Sequence, residues 1–110
     1  NMTGTWIVNS LIFDDSPNLV TDPNLQTAAF IMKPDMRFTQ NVLYDGDLDI
    51  DAGDWNLSGS VLTLLFDTEE EIQYIINSLN NTTAKLTLVY YLNDDGDDVY
   101  ETGSATLEKQ

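Results

Sequence analysis

Asp45, Asp47, Asp49 and Asp51 occupy every second position of one short segment, and Asn93, Asp95 and Asp97 repeat the pattern later in the chain. Hard oxygen ligands at such spacing invite calcium. A calcium loop of the EF-hand type needs Gly at its sixth position and a bidentate Glu at its twelfth. Counted from Asp45, those positions hold Ile50 and Asn56; with Gly96 placed sixth, Tyr91 opens the loop and Thr102 closes it. In an extended strand, alternate carboxylates also stand ~6.6 Å apart, too far to share an ion. The expectation is therefore acidic turns and edges that keep the chain soluble, with no metal ligand assigned.

A second set of residues is suited to holding a ligand. Trp6, Phe38, Trp55, Phe66, Tyr74 and Tyr90 are large and apolar enough to line a cavity, and equally suited to closing a packed aromatic core. Tyr90 and Tyr91 put one ring on each face of a strand. Catalytic candidates are scarce. The chain has no His and no Cys, which removes imidazole bases, thiolates, disulfides and the usual zinc sites. Carboxylates abound, but none stands in an apolar run that would raise its pKa and make it an acid. Serine and lysine are present without a nucleophile-elbow motif. No catalytic residue, enzymatic activity or cofactor is expected.

Charge narrows the partners. Nineteen acidic residues face four cations, a net charge of −15. A field of that sign repels phosphate backbones and anionic lipid headgroups, so nucleic acid is not an expected partner. With 110 residues and 42% hydrophobic content, the chain suits one domain, 1–110, with one modest core. No apolar run approaches the ~20 residues that span a bilayer, and no signal peptide is visible.

These side chains must be positioned by short strands. Residues 53–66 read strand, turn, strand: Trp55 and Leu57 alternate with Asp54 and Asn56, Ser58-Gly59-Ser60 turns, and Leu62, Leu64 and Phe66 answer. Residues 5–13, 28–33 and 37–44 are further strands, the last two separated by Pro34-Asp35, and Asp45-Gly46 is a hairpin signal. Phe38, Gln40, Val42 and Tyr44 share one face. Residues 14–26 form a long polar loop, with Leu19, Val20 and Leu25 packing over one end. Residues 68–80 carry both periods. Ile72, Ile75, Ile76 and Leu79 suit a helix, whereas the alternation of Ile72, Tyr74 and Ile76 and the strand-rich context favour a strand. Strands over 85–92 and 99–107 flank an acidic loop at 93–98. About eight consecutive short strands predict an all-β sandwich or up-and-down barrel.

Gly4-Thr5-Trp6, then Gly53-Asp54-Trp55-Asn-Leu-Ser-Gly-Ser-Val-Leu-Thr-Leu, then Ala84-Lys-Leu-Thr-Leu follow one another in an order that resembles the lipocalin-like domain of Bacteroidetes secreted proteins and lipoproteins. The resemblance spans nearly the whole chain. It implies an eight-stranded antiparallel up-and-down meander barrel, a first-strand Trp6 closing the narrow end, and export, often with an N-terminal lipid anchor. The anchor's Cys is not among these 110 residues, so anchoring is not read from them. The leading expectation is an extracytoplasmic binding module for a small apolar or amphipathic ligand. The alternative is an acidic, inhibitor-like interaction domain with a closed core and a basic protein partner. A calcium-stabilised surface domain is the weaker third.

Overall fold

The computed structural model describes residues 2–13, 21–92, 96, 98–99 and 103–110. Its strands are β1 (Gly4–Phe13), β2 (Leu25–Met32), β3 (Arg37–Tyr44), β4 (Asp47–Ser58), β5 (Val61–Phe66), β6 (Glu71–Leu79), β7 (Thr83–Leu92), β8 (Asp98–Val99) and β9 (Gly103–Lys109). Each from β1 to β7 pairs antiparallel with its neighbour in sequence. β7 then pairs with β9, and β9 returns to β1. β8, of two residues, continues the β9 position along the same edge of β7. The result is a closed eight-stranded antiparallel meander barrel with no helix among the described residues. Closure removes the sheet edges that would otherwise template pairing with another chain, except along residues 47–51 of β4, which β5 does not reach.

The ambiguous segment is strand: β6 pairs with β5 on one side and β7 on the other. β2 starts at Leu25, inside the segment expected as loop, and Leu25 is half-buried. Residues 14–20, with Leu19 and Val20, lie outside the description, as do Asn93, Asp95, Asp97 and the Tyr91 side chain. The β3–β4 turn is a two-residue one, and both Asp45 (φ 50°) and Gly46 (φ 82°) have positive φ. That is the type I′ geometry whose twist matches a hairpin's strands.

One end of the barrel is filled. Trp6, Phe38, Met2, Leu62 and Leu64 are fully buried there. The Trp6 indole Nε1 donates to the Met2 carbonyl at 2.8 Å, and Lys109 Nζ stands 5.7 Å from the ring centroid. Phe38 and Phe66 meet edge-to-face at 5.1 Å, a favoured aromatic geometry. The β2–β3 turn folds over this end, where Lys33 O accepts from Trp55 Nε1 at 2.9 Å. Outside the wall, Arg37 grips Asp67 through both Nη atoms at 2.8 and 2.9 Å and reaches Asp54 at 3.0 Å. These charges are exposed and contribute little stability, but they tie β3, β4 and the β5–β6 turn together. The hydrogen bond from Arg37 holds the Asp67 carboxyl below its ordinary range.

Candidate ligand cavity

Above the filled end the core opens. A cavity of about 190 Å³ is lined on the β1 and β2 side by Val8, Leu11, Ala28, Ala29 and Phe30, on β3 by Gln40 and Val42, and opposite by Ile72, Tyr74, Leu86, Ala105 and Leu107. A second void of about 10 Å³ lies against Met2, Met32, Leu62 and Leu64. Phe30, Tyr74, Leu86 and Leu107 touch both spaces and form the floor between them. Two features of the strands make the larger space. Ala28 and Ala105 are inward positions with only a methyl group to fill them. The β1–β2 ladder also ends at Ile7↔Ala29, so β1 and β2 diverge towards the mouth.

Tyr74 and Gln40 are the polar side chains of this wall. Tyr74 is only 7% exposed, and its hydroxyl, unbonded to any described residue, still reaches solvent-accessible space. Burial alone pushes its phenol from 10.0 up to about 12. The sign follows directly. Between pH 10 and 12 the unfolded tyrosine gives up its proton while the folded one keeps it, so stability falls as pH rises through that window. The expected slope from this group is at most about 1.4 kcal/mol per pH unit. Tyr74→Phe should be at least as stable as the parent at pH 7, because no bond is lost, and should lack that share of the alkaline loss. Urea unfolding of both proteins at pH 7 and pH 11 checks it.

Of the six aromatic residues expected at a ligand site, Tyr74 stands on the cavity wall. Trp6, Phe38, Trp55 and Phe66 are buried and lie outside the lining, towards the filled end. Tyr90 is half-buried on β7, opposite Gln73, and also outside the lining. Most of the wall is instead aliphatic.

The mouth is acidic. The β3–β4 ladder has no register shift, so side-chain parity carries unbroken along β4. Gly53 and Trp55 are inward, hence Asp51, Asp49 and Asp47 take the same face. Asp51 is the cross-strand partner of Gln40 and Asp49 that of Val42, both cavity-lining residues. β5 pairs only as far as Gly53, so this half of β4 is held by β3 alone, and its carboxylates are exposed beside the cavity. Leu48 and Ile50 take the outer face, 59% and 58% exposed. At the same end Tyr44 donates to Asp22 Oδ2 at 3.1 Å, and Gln26 Oε1 accepts from the Gly46 amide at 2.9 Å. Among the described residues no three carboxylates come together closely enough to hold a metal ion.

A family model described as a lipocalin-like domain matches residues 2–88. The chain belongs to the lipocalin-like domain family. This lipocalin-like barrel is also similar to the solved structure of EF1p2_mFAP2b bound to DFHBI, with a TM-score of 0.64 at 16% identity, covering 99% of this chain and 94% of that one. At that identity the likeness speaks for the fold. A comparison with curated proteins finds no match.

Proposed function

We propose that this lipocalin-like domain is a non-enzymatic binding module that takes one small apolar or amphipathic molecule into its barrel. The observation that carries this reading is the cavity of about 190 Å³, apolar except for Gln40 and the unpartnered Tyr74 hydroxyl. An apolar cavity of ~150 Å³ is enough for a benzene-sized guest, whereas drug-sized ligands need ~300 Å³ or more. The guest is therefore one ring or a short chain, with any larger part outside the mouth. Tyr74 and Gln40 would each supply a hydrogen bond that fixes its orientation. Among the described residues the wall has no carboxylate, amine or thiol to react with it, which supports binding over catalysis. EF1p2_mFAP2b with DFHBI is a precedent for a barrel of similar fold with a bound molecule. An interaction domain with a closed core, the rival reading, does not call for such a space. The resemblance to secreted proteins and lipoproteins supports an extracytoplasmic location, which fractionation of expressing cells would test.

The binding test uses N-phenyl-1-naphthylamine, an uncharged probe that fluoresces strongly out of water and whose phenyl ring suits the cavity while its naphthyl part stands at the mouth. Saturable one-to-one enhancement is expected. Ala28→Phe, which projects a ring into the cavity from β2, should weaken it at least tenfold without loss of stability. No enhancement, or enhancement unaffected by Ala28→Phe, would count against the cavity as the site.

A further inference from the structure

Resting on that reading of the cavity, we propose that the ligand is a cationic amphiphile: a short apolar body in the barrel and an ammonium or amidinium group at the mouth, between the cavity and the Asp49 and Asp51 carboxylates.

Acidic side chains on a half-paired strand commonly serve solubility and block edge pairing. That role is served by inward-pointing charges as well as outward ones, and these aspartates are solvent-exposed; what sets them apart is that they share the face on which the cavity lies. On β4 the aspartates take the inner face, and Leu48 and Ile50 take the outer one at 59% and 58% exposure. Swapping the two sets would cover the exposed Leu48 and Ile50 and would take the carboxylates off the face that adjoins the cavity. Directly opposed residues of an antiparallel pair have Cβ atoms ~5 Å apart. Asp49 and Asp51 are therefore side by side with Val42 and Gln40 at the cavity wall.

Two further observations bear on the guest. Tyr74, only 7% exposed and unbonded through its hydroxyl to any described residue, lines the cavity and can accept from or donate to a guest's polar atom. Three of the chain's four cations are at the opposite end, and the fourth, Lys85, is exposed on the outer face level with the cavity wall. Lys33 is in the β2–β3 turn, Arg37 opens β3, Lys85 is near the start of β7, and Lys109 ends β9 over Trp6. No lysine or arginine is available at the mouth to hold a carboxylate or phosphate. The cavity is also below the size that encloses a drug-sized molecule, so a polar head must remain in the field of the rim. An apolar chain with an anionic head would meet like charge there; one with a cationic head would meet two exposed carboxylates, an attraction that added salt screens.

The test compares n-octylamine, 1-octanol and octanoate by calorimetry at pH 7, with one chain length and three head charges. The amine is expected to bind at least tenfold more tightly than the alcohol, with octanoate weakest. In Asp49→Asn/Asp51→Asn the amine should fall to the level of the alcohol. Asp35→Asn/Glu108→Gln removes the same charge at the closed end and should keep the preference; the replaced oxygens still accept their bonds from the Arg37 amide and Asn9. In the parent protein, 0.5 M NaCl should shrink the amine preference severalfold, a readout that needs no variant. Equal affinity for amine and alcohol would overturn the proposal and leave the binding function standing. Binding of none of the three would overturn the function itself. Equal loss in both double variants would assign the preference to net charge and overturn the rim.

Discussion

Replacing Trp6 with alanine is expected to cost about 3–5 kcal/mol of stability, as large-to-small changes of an aromatic core residue do. Trp6 has no exposed surface and is held on two sides. Its Nε1 bond to the Met2 carbonyl keeps the chain's first described residue at 1% exposure, so the substitution leaves a void and also orphans a buried acceptor. Lys109 over the ring loses its partner as well. Trp6→Phe separates the contributions: it retains most of the packing and loses the donor, and should cost about 1–3 kcal/mol. Urea unfolding of the three proteins measures this. A loss below about 1 kcal/mol for Trp6→Ala would mean that the ring does not close the barrel.

Gly53→Ala is expected to cost as much as overpacking usually does, about 1–3 kcal/mol, or more. Gly53 has Phe38 opposite it on β3 and Phe66 on β5. A Cβ there would sit 2.7 Å from Phe66 Cα and closer still to the Leu65 carbonyl oxygen. Both are backbone atoms in a hydrogen-bonded ladder, so no side chain can swing aside. β4 and β5 would have to part where Phe38 and Phe66 stack edge-to-face. What this glycine provides is space. The readout is again the urea midpoint, and a parent-like value would show that the two strands do not approach this closely.

Much of the fold was legible in the sequence. Alternation at Trp55, Leu57, Leu62, Leu64 and Phe66 is the alternation of a wall with one buried face, and Asp45-Gly46 carries the turn that its φ angles need. Residues 71–79 were ambiguous because Ile75 breaks the alternation; it is an outward residue, 39% exposed, paired with Val61. Only the ladders on both sides decide between strand and helix there.

The cavity was less legible, for two reasons. Aromatic size suggested a lining, yet the largest rings are those that pack most completely, so Trp6, Phe38 and Phe66 fill the closed end. The space belongs to small inward residues such as Ala28 and Ala105, and an alanine in a sequence does not say whether a neighbour fills its place; Ala84, also inward, is fully buried. The second reason is register. In β1, Val8 faces Leu107 and Leu11 faces Ala105, with a bulge between Val8 and Ser10. Strict alternation from Trp6 and Val8 would have placed Ser10 inward instead of Leu11. The aspartates of β4 could be read as a periodic set, but which face they take depends on the register set by Gly53 and Trp55.

In the proposed binding mode a guest enters this barrel rather than resting on its surface. Methyl NMR during titration with n-octylamine tests it most directly. The methyl groups of Val8, Ile72, Leu86 and Leu107, on the cavity wall, are expected to shift together and saturate at one equivalent. Those of Leu48, Ile50 and Leu65, on the outer face, should stay in place. Movement of the outer methyl groups with the wall methyl groups unchanged would contradict it.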